Sequence, residues 1–330
     1  MSKLRKILLA SAFVLSAAAL PASAADEVIF QANWLIQGEN AYMVAGKEKG
    51  FYDEEGIDLT INRGFGSGDT IKKVVTGVAT VGAADSGTMM LAAVREGLPL
   101  KCISSEYTYS PQSVWVLGDS GIKTIADLKG KRFGITAGNS MQVYFPVLAQ
   151  ANGLDPAAVS FVVMEASALL PTLLAGQIDA MTGFATVIGL RNEEAKSQGK
   201  ELFGMPMADH GLRVSGECQF TTTALIESKP DLLKRYLKAT KKSLEWSHEN
   251  PEETADIIST AYPELQRDRV LTNHLAFMDF VFNDQSERLG VGGFDMEQLQ
   301  RTFDFVAKAQ DLGKTADVST YVDASMLPAQ

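Results

Sequence analysis

One stretch constrains the fold of this chain more than any other: residues 63–90, RGFGSGDTIKKVVTGVATVGAADSGTMM. It holds two turns of small and hydroxyl-bearing residues, 64–70 and 85–88, and each leads into a helical pattern, at 71–76 and 89–96. Such turns leave backbone N–H groups free at a helix N-terminus, where polar or anionic groups bind. Two of them after adjacent strands predict an open α/β sheet with a ligand crevice at one edge.

The glycine-rich turn does not have the pattern of a nucleotide site. It lacks the Lys-Ser/Thr pair of a P-loop and the GxGxxG spacing of a dinucleotide-binding turn. The three histidines are isolated, and no catalytic triad or Cys/His metal pattern stands out in the sequence. We therefore expect no cofactor, no metal and no catalytic residue.

The first part of the chain contains four predicted strands, at 28–32, 57–62, 80–84 and 100–105. Helical patterns separate them, and this order predicts parallel strands with right-handed crossovers. After residues 107–111, four more predicted strands follow with helical patterns between them, at 113–117, 132–136, 160–164 and 178–182.

The β-rich segment 214–226 is predicted to return to the first set of strands, and mainly helical patterns follow it. The sequence thus predicts two α/β lobes, one made of residues 25–110 and 214–330 and the other of residues 111–213. Two crossings without a flexible linker predict a hinge, with a ligand cleft between the lobes.

The first 24 residues have the pattern of a secretory signal peptide. Lys3, Arg5 and Lys6 precede an apolar run at 7–20, and small residues allow cleavage near Ala24. A membrane anchor is the alternative to a cleaved signal peptide, but the apolar run is short for a membrane span. We therefore expect an exported, soluble periplasmic protein. No cysteine stands directly after the cleavage site, so we do not expect a lipoprotein.

The charge of the mature chain restricts its partners. Cleavage removes three basic and no acidic residues, which changes the formal net charge from −10 to −13. A nucleic-acid partner is not expected, because it would require basic patches. A small ligand of either charge is compatible, because the charge of a local site can differ from the overall charge of the protein.

Cys102 and Cys218 are the only cysteines. An oxidising compartment permits a disulfide between them. Sequence alone does not show whether their Cα atoms come within about 7 Å, as a bond requires. Two buried free thiols are the favoured interpretation, and a disulfide is the open alternative.

The candidate ligand contacts lie at the ends of predicted strands and in the turns beside them. Trp34, Tyr107 and Phe184 are candidates for contact with a planar ring, although ordinary core packing is the alternative for each. The polar candidates could instead cap helices or face solvent: Asn40, Ser67, Asp69, Thr70, Asp85, Ser86, Thr88, Thr136, Asn139, Ser140, Glu165 and Glu217. An acidic group such as Glu217 would suit amino or ring N–H donors.

Four segments carry a family resemblance: NAYMVA at 40–45, KGFYDEEGIDL at 49–59, GIKTIADLKGK at 121–131 and LAGQIDA at 174–180. With Trp34 upstream, they resemble periplasmic solute-binding proteins of ABC importers, in the thiamine-pyrimidine-precursor (Nmt/Thi-like) group. Binders of taurine, alkanesulfonates and nitrate are relatives of that group. The resemblance covers nearly the whole mature chain.

The resemblance implies the type II periplasmic binding protein fold, with two α/β lobes, a hinge and a ligand cleft. It also implies ligand capture by lobe closure and a tryptophan at position 34 beside the ring. Asn40 stands where the pyrimidine-binding branch often has histidine. Fungal relatives that are enzymes carry a CCCFC segment, which this chain lacks, so the resemblance favours a binder over an enzyme.

We therefore expect a monomeric binding protein that captures a small planar nutrient, heteroaromatic and similar to a pyrimidine precursor. Its partner would be an ABC permease with its ATPase. One alternative is an alkanesulfonate, taurine or other organic-anion binder, with Arg63 or Arg213 near the anion. Two others are an exported enzyme on the same fold and a protein that presents its ligand to a receptor.

Overall fold

The computed structural model describes residues 25–313 and 316–328, so the predicted signal peptide lies outside the described residues. The strands are β1 Asp26–Gln31, β2 Ile57–Asn62, β3 Val81–Asp85, β4 Leu100–Ser105, β5 Gln112–Leu117, β6 Arg132–Ile135, β7 Ser160–Val163, β8 Ala180–Phe184, β9 Leu202–Pro206 and β10 Glu217–Thr222. They form two five-stranded sheets, as the predicted α/β fold with two lobes requires.

Helices surround both sheets. They are α1 Ala41–Glu48, α2 Ser67–Val75, α3 Ser86–Glu96, α4 Met141–Ala151, α5 Ala166–Leu174, α6 Ile188–Lys196, α7 Thr223–Ser228, α8 Pro230–Glu249, α9 Pro251–Ala261, α10 Arg267–Val281, α11 Asp284–Leu289 and α12 Met296–Ala309. No helix among the described residues is both long and apolar enough to cross a bilayer.

The first sheet has the order β2-β1-β3-β10-β4. β1 pairs in parallel with β2 and β3, as predicted. β10 pairs antiparallel with both β3 and β4. The prediction of parallel pairing is therefore wrong for β4, because the strand that returns from the second sheet is inserted between β3 and β4.

The second sheet, β7-β6-β8-β5-β9, repeats this arrangement. β6 is parallel to β7 and β8, whereas β5 is antiparallel to β8 and β9. In each sheet, the antiparallel strand is the first one after the chain crosses between the sheets. The crossings lie between β4 and β5 and between β9 and β10, while lobe limits at residues 110 and 213 stay a prediction.

Several local features differ from the expectations. α2 and α3 begin at Ser67 and Ser86, so part of each predicted turn forms the first turn of a helix. β9 and α6 were not predicted. α6, IGLRNEEAK, has almost no apolar periodicity, and β9 is a five-residue strand that ends in proline.

Cys102 of β4 and Cys218 of β10 form a disulfide, with Cα atoms 5.7 Å apart. The favoured interpretation of two free thiols was therefore wrong. The cysteines are 116 residues apart in the chain, and only the insertion of β10 beside β4 brings them together. The bond links the returning strand to the edge of the first sheet.

Each sheet has its own apolar core. In the first lobe, Phe30 of β1 packs in one cluster with Tyr42 of α1 and Tyr236 of α8. In the second, a cluster around α4 extends to Leu91 of α3 and Val306 of α12. Helices α3 and α12 therefore join the two lobes through apolar packing.

Candidate functional site

A cavity of about 290 Å³ lies between the two lobes. The first lobe contributes the segment after β1 and the start of α2. The second lobe contributes residues just before α4, the first turns of α5, the end of β8 and part of α6. These elements meet at the carboxyl ends of β1, β6 and β8, which is where ligands bind in open α/β sheets.

The walls of the cavity are aromatic and apolar. Trp34 follows β1, Trp115 lies in β5 and Phe184 ends β8, and all three side chains line the cavity. Further apolar surface comes from Leu169, Leu170, Pro171 and Met181. Aromatic walls supplied by both lobes suit a planar ligand, because aromatic rings stack and bury large areas.

Trp115 is nearly inaccessible, and its indole N–H has no hydrogen-bond partner among the described residues. A buried tryptophan usually finds a partner for this donor. Because Trp115 lines the cavity, the indole N–H is a candidate donor to a ligand acceptor.

Two serines present hydroxyl groups from opposite lobes. Ser67 Oγ donates to Asn33 Oδ1 at 3.2 Å and accepts from the backbone N–H of Asp85 at 3.1 Å. Ser140 Oγ accepts from the side-chain amide of Gln112 at 2.6 Å. Both hydroxyls are held in place by the protein, which orients them before a ligand arrives.

The glycine-rich turn of the first lobe meets a turn of the second. The N–H of Gly68 donates to the carbonyl oxygen of Gly138 at 3.1 Å. Gly66 has φ 118°, a conformation that favours glycine, and a Cβ there would lie 3.0 Å from the same oxygen. Glycine at these positions therefore lets the two backbones touch across the cleft.

A second contact between the lobes lies beside it. Thr186 Oγ1, directly after β8, donates to Glu39 Oε1 of the first lobe at 3.1 Å. Glu39 is part of the short 3-10 turn Gly38–Asn40 between β1 and α1. This hydrogen bond therefore ties the turn of the first lobe to the segment that follows β8.

A smaller cavity of about 10 Å³ adjoins the main one, and we call it the carboxyl pocket. It shares Asn33, Trp34 and Phe184 with the main cavity. Its other lining residues are Glu39, Asn40, Glu106, Tyr107, Glu217 and Phe277. Three carboxyl groups from separate parts of the chain thus lie around one small space.

Hydrogen-bond donors hold each of these carboxyl groups. Tyr42 Oη donates to Glu106 Oε1 at 2.7 Å. The side-chain amide of Asn33 donates to Glu217 Oε1, and Tyr107 also faces this carboxyl group. Thr186 provides the donor for Glu39.

The surroundings of these three carboxyl groups raise their pKa values. Burial raises the pKa of Glu39 and, together with the charge of Glu39, that of Glu106. Burial and the charges of Glu106 and Glu39 raise the pKa of Glu217 well above its usual range. Loss of hydration and mutual repulsion both disfavour the charged form, so the pocket retains protons more strongly than exposed carboxyls do.

The structure brings part of the predicted site together. Five predicted residues line the main cavity: Trp34, Ser67, Asn139, Ser140 and Phe184. Three others line the carboxyl pocket: Asn40, Tyr107 and Glu217. The remainder line neither space: Asp69, Thr70, Asp85, Ser86, Thr88, Thr136 and Glu165.

Two of those outside residues belong to α2 and contact other parts of the protein. Asp69 pairs with Lys73 one turn later, at 2.8 Å. Thr70 is fully buried and its hydroxyl donates to the carbonyl oxygen of Ala32 at 3.1 Å. For both, a direct ligand contact stays a prediction, and the contact that the structure gives is with the protein itself.

The other residues outside the two cavities lie in helix starts, a turn and the surface. Asp85 caps α3 by accepting from the backbone N–H of Thr88 at 2.8 Å, and Ser86 is buried in the first turn of this helix. Thr136 accepts a hydrogen bond within its own turn at 3.4 Å. Glu165 is exposed before the start of α5. The cap by Asp85 and the surface position of Glu165 are alternatives weighed above, whereas the buried hydroxyls of Ser86 and Thr88 have no hydrogen-bond partner among the described residues.

Sequence reasoning missed several residues of the site. Trp115 lies in a predicted strand, where a buried tryptophan is indistinguishable from core. Arg191 and Glu194 belong to α6, which was not predicted. Glu106 carried a usable signal, because it directly follows β4 at the carboxyl end of a strand. Glu39 lies in an irregular loop and carried none.

Known proteins resemble this chain in amino-acid sequence. A family model described as NMT1/THI5 like matches residues 37–254. The riboflavin-binding protein RibY of Chloroflexus aurantiacus is 27% identical over 309 residues, covering 89% of this chain and 83% of RibY. The 4-amino-5-hydroxymethyl-2-methylpyrimidine phosphate synthase of Legionella pneumophila is 25% identical over 252 residues, covering 74% of this chain and 78% of the synthase.

Among solved structures, the alkanesulfonate-binding protein SsuA from Xanthomonas axonopodis pv. citri bound to MOPS is similar, with a TM-score of 0.69. It is 15% identical, and the match covers 92% of this chain and 99% of SsuA. The match confirms the predicted two-lobe periplasmic binding protein fold. With a family model that spans most of its length, the chain belongs to the NMT1/THI5-like family.

Proposed function

We propose that this protein is the substrate-binding component of an ABC importer and captures a small planar heteroaromatic nutrient between its lobes. One observation carries the proposal: Trp34 and Phe184, from different lobes, line one cavity of about 290 Å³ with Trp115. A single aromatic ring system fits such a space, and closure of the lobes would remove it from water.

The relatives support a ring-containing ligand. One is named for binding riboflavin, and the other is named as a synthase of a pyrimidine phosphate. Flavins and pyrimidines are both planar nitrogen heterocycles. They present ring edges with hydrogen-bond donors and acceptors, which the serine hydroxyls, Asn33 and Trp115 could match.

The charges around the cleft disfavour the organic-anion alternative. Arg191 is the basic residue that lines the main cavity, and it pairs with Glu194 at 3.3 Å. Arg63 and Arg213, the candidates considered from sequence, lie over the rings of Phe65 and Tyr109 and line neither cavity. An anion in this cleft would also face the carboxyl pocket.

We propose binding without chemical change of the ligand, although the relatives include a synthase. Both cysteines are consumed by the disulfide, so neither is available as a nucleophile. We also propose that the mature protein is a soluble periplasmic monomer that delivers its ligand to a permease. Recovery of an intact ligand after prolonged incubation supports binding without chemical change, and a chemically changed ligand contradicts it.

Titration calorimetry of the mature protein with riboflavin and with 4-amino-5-hydroxymethyl-2-methylpyrimidine tests the proposal. At least one of these compounds should bind, and Trp34→Ala should weaken its binding about tenfold by removing ring contact. Trp246→Ala is the matched control, because Trp246 packs against Phe51 away from the cleft. Equal binding by Trp34→Ala and the parent would refute the stacking role.

A further inference from the structure

We propose that the carboxyl pocket is a subsite for a positively charged nitrogen of the ligand, such as the amidinium edge of a protonated aminoheterocycle. The proposal rests on the proposed function and narrows the ligand class from planar rings to planar rings with a cationic or readily protonated edge.

The dimensions of the two spaces favour one ligand across both. The carboxyl pocket, about 10 Å³, has room for a group of about the size of one water molecule. It adjoins the main cavity along Asn33, Trp34 and Phe184. A ring in the main cavity could therefore insert one nitrogen between the carboxyl groups while the rest of the ring stays against the aromatic walls.

The pocket contains three carboxyl groups and no basic side chain. None of its lining residues is lysine, arginine or histidine, while Glu39, Glu106 and Glu217 all contribute carboxyl groups. Buried carboxylates are usually paired, because loss of hydration is costly without an opposite charge. Nor are these carboxyl groups arranged as a metal site within the described part of the chain. A ligand cation would supply the opposite charge that stabilises the ionised form of these carboxyl groups.

Glu106 provides an independent indication of a missing partner. Its side chain is 5% exposed, and its Oε2 atom has no hydrogen-bond partner among the described residues. A buried acceptor without a partner is uncommon in native proteins. The carboxyl group lines the pocket, so a ligand N–H placed there could satisfy this oxygen.

The protein orients Glu106 as an acceptor. Tyr236 Oη donates to Gln219 Oε1 at 2.9 Å, and Gln219 Nε2 donates to Tyr42 Oη at 3.1 Å. Tyr42 Oη in turn donates to Glu106 at 2.7 Å. Because every donor in this buried chain is directed towards Glu106, the chain stabilises the negative form of its carboxyl group.

The aromatic residues of the carboxyl pocket also favour a cation. Trp34, Phe184 and Phe277 line it together with the carboxyl groups, and aromatic faces attract cations. An anionic group would be disfavoured by both the ring faces and the carboxyl groups, and an apolar group would leave the carboxyl groups without a partner. Phe184 belongs to the second lobe, so this cation subsite is complete only when the lobes meet.

Benzamidine and benzamide test the proposal, because both are planar and of similar shape but only benzamidine is a cation at pH 7.5. Calorimetry or ligand-observed NMR on the mature protein should show benzamidine binding at least about tenfold more tightly than benzamide. Glu106→Gln and Glu217→Gln should each remove most of this preference. Glu201→Gln, the same change on an exposed residue of the second lobe, should retain it.

The parent protein alone decides the main point, even if a pocket variant fails to fold. Equal binding of the two probes, or of neither, while riboflavin or the pyrimidine binds would overturn the cation subsite and leave the proposed function standing. If riboflavin, the pyrimidine and both probes all fail to bind, the proposed function falls as well. A preference for benzamidine that survives in both glutamine variants would also overturn this assignment.

Discussion

The turns at 64–70 and 85–88 look alike in the sequence but have different surroundings in the structure. The first reaches the cleft: Gly66 and Ser67 line the main cavity, and Gly68 contacts Gly138 of the opposite lobe. The second is covered by protein. A Cβ on Gly87 would lie 2.4 Å from the hydroxyl of Tyr144 and 3.0 Å from the methyl group of Thr302.

This difference shows what a strand-to-helix turn can and cannot indicate. Both turns follow strands of the same sheet and begin helices, as the sequence pattern predicts. Whether a turn binds ligand depends on what lies opposite it. The first turn faces a polar turn of the second lobe, whereas α4 and α12 cover the second turn, so only the first is left for a ligand.

The largest expected effect comes from filling the covered turn. Gly87→Val should lower the free energy of unfolding by about 3 kcal/mol, because the added methyl groups collide with Tyr144 and Thr302. Urea unfolding of the mature protein measures this. Gly189→Val is the matched control, since a Cβ at that helical position meets nothing within 4 Å. A loss of less than 1 kcal/mol would show that the two turns are equally open.

Filling the open turn should act on binding instead of folding. Gly68→Val should weaken ligand binding about a hundredfold, because the side chain separates Gly68 from Gly138 and lowers the population of the closed form. Its free energy of unfolding should stay within about 1 kcal/mol of the parent. Calorimetry with the confirmed ligand, beside urea unfolding, distinguishes the two effects. Unchanged affinity would exclude this contact from closure.

The smallest effect concerns Asp85, which caps α3 in the covered turn. Burial raises the pKa of Asp85 to about 6, from 3.8 in an unfolded chain. The folded state therefore binds the proton more tightly, and the contribution of Asp85 to stability falls as pH rises through 6. Between pH 5 and pH 7 this loss should amount to about 1 kcal/mol.

Asp85→Asn should remove this part of the pH dependence and keep the cap, because asparagine is an equally good N-cap residue. The difference in unfolding free energy between variant and parent, followed from pH 5 to pH 7, reports Asp85 separately from the other buried carboxyls. Parallel curves for the two proteins would mean that Asp85 is not shielded from water as described.

Much of the fold could be predicted, because the local periodicity of apolar residues indicates the alternation of strands and helices. The strands at 57–62 and 100–105 have the predicted bounds, and α4 at Met141–Ala151 also does. The order of strands within a sheet could not be predicted in this way, because the local pattern does not encode which distant strand is inserted between two others. The position of β10, and with it the disulfide, depended on that insertion.

Much of the predicted part of the site lies beside the beginnings and ends of strands and helices. Trp34 follows β1, Phe184 ends β8, Ser67 begins α2 and Glu217 begins β10, and all four were predicted. Trp115 and Glu39 were missed, because one lies within a strand and the other in a loop without periodicity. A shared pocket formed by Glu39, Glu106 and Glu217 arises from tertiary packing, which separates these residues widely in the sequence.

Side-by-side titration of the mature protein with riboflavin, 4-amino-5-hydroxymethyl-2-methylpyrimidine and taurine tests the central claim most directly. The claim is that the cleft between the lobes selects a planar ring and not an anion. We predict saturable one-to-one binding of at least one ring compound and no measurable binding of taurine. Tight binding of taurine, with no response to either ring compound, would contradict the account.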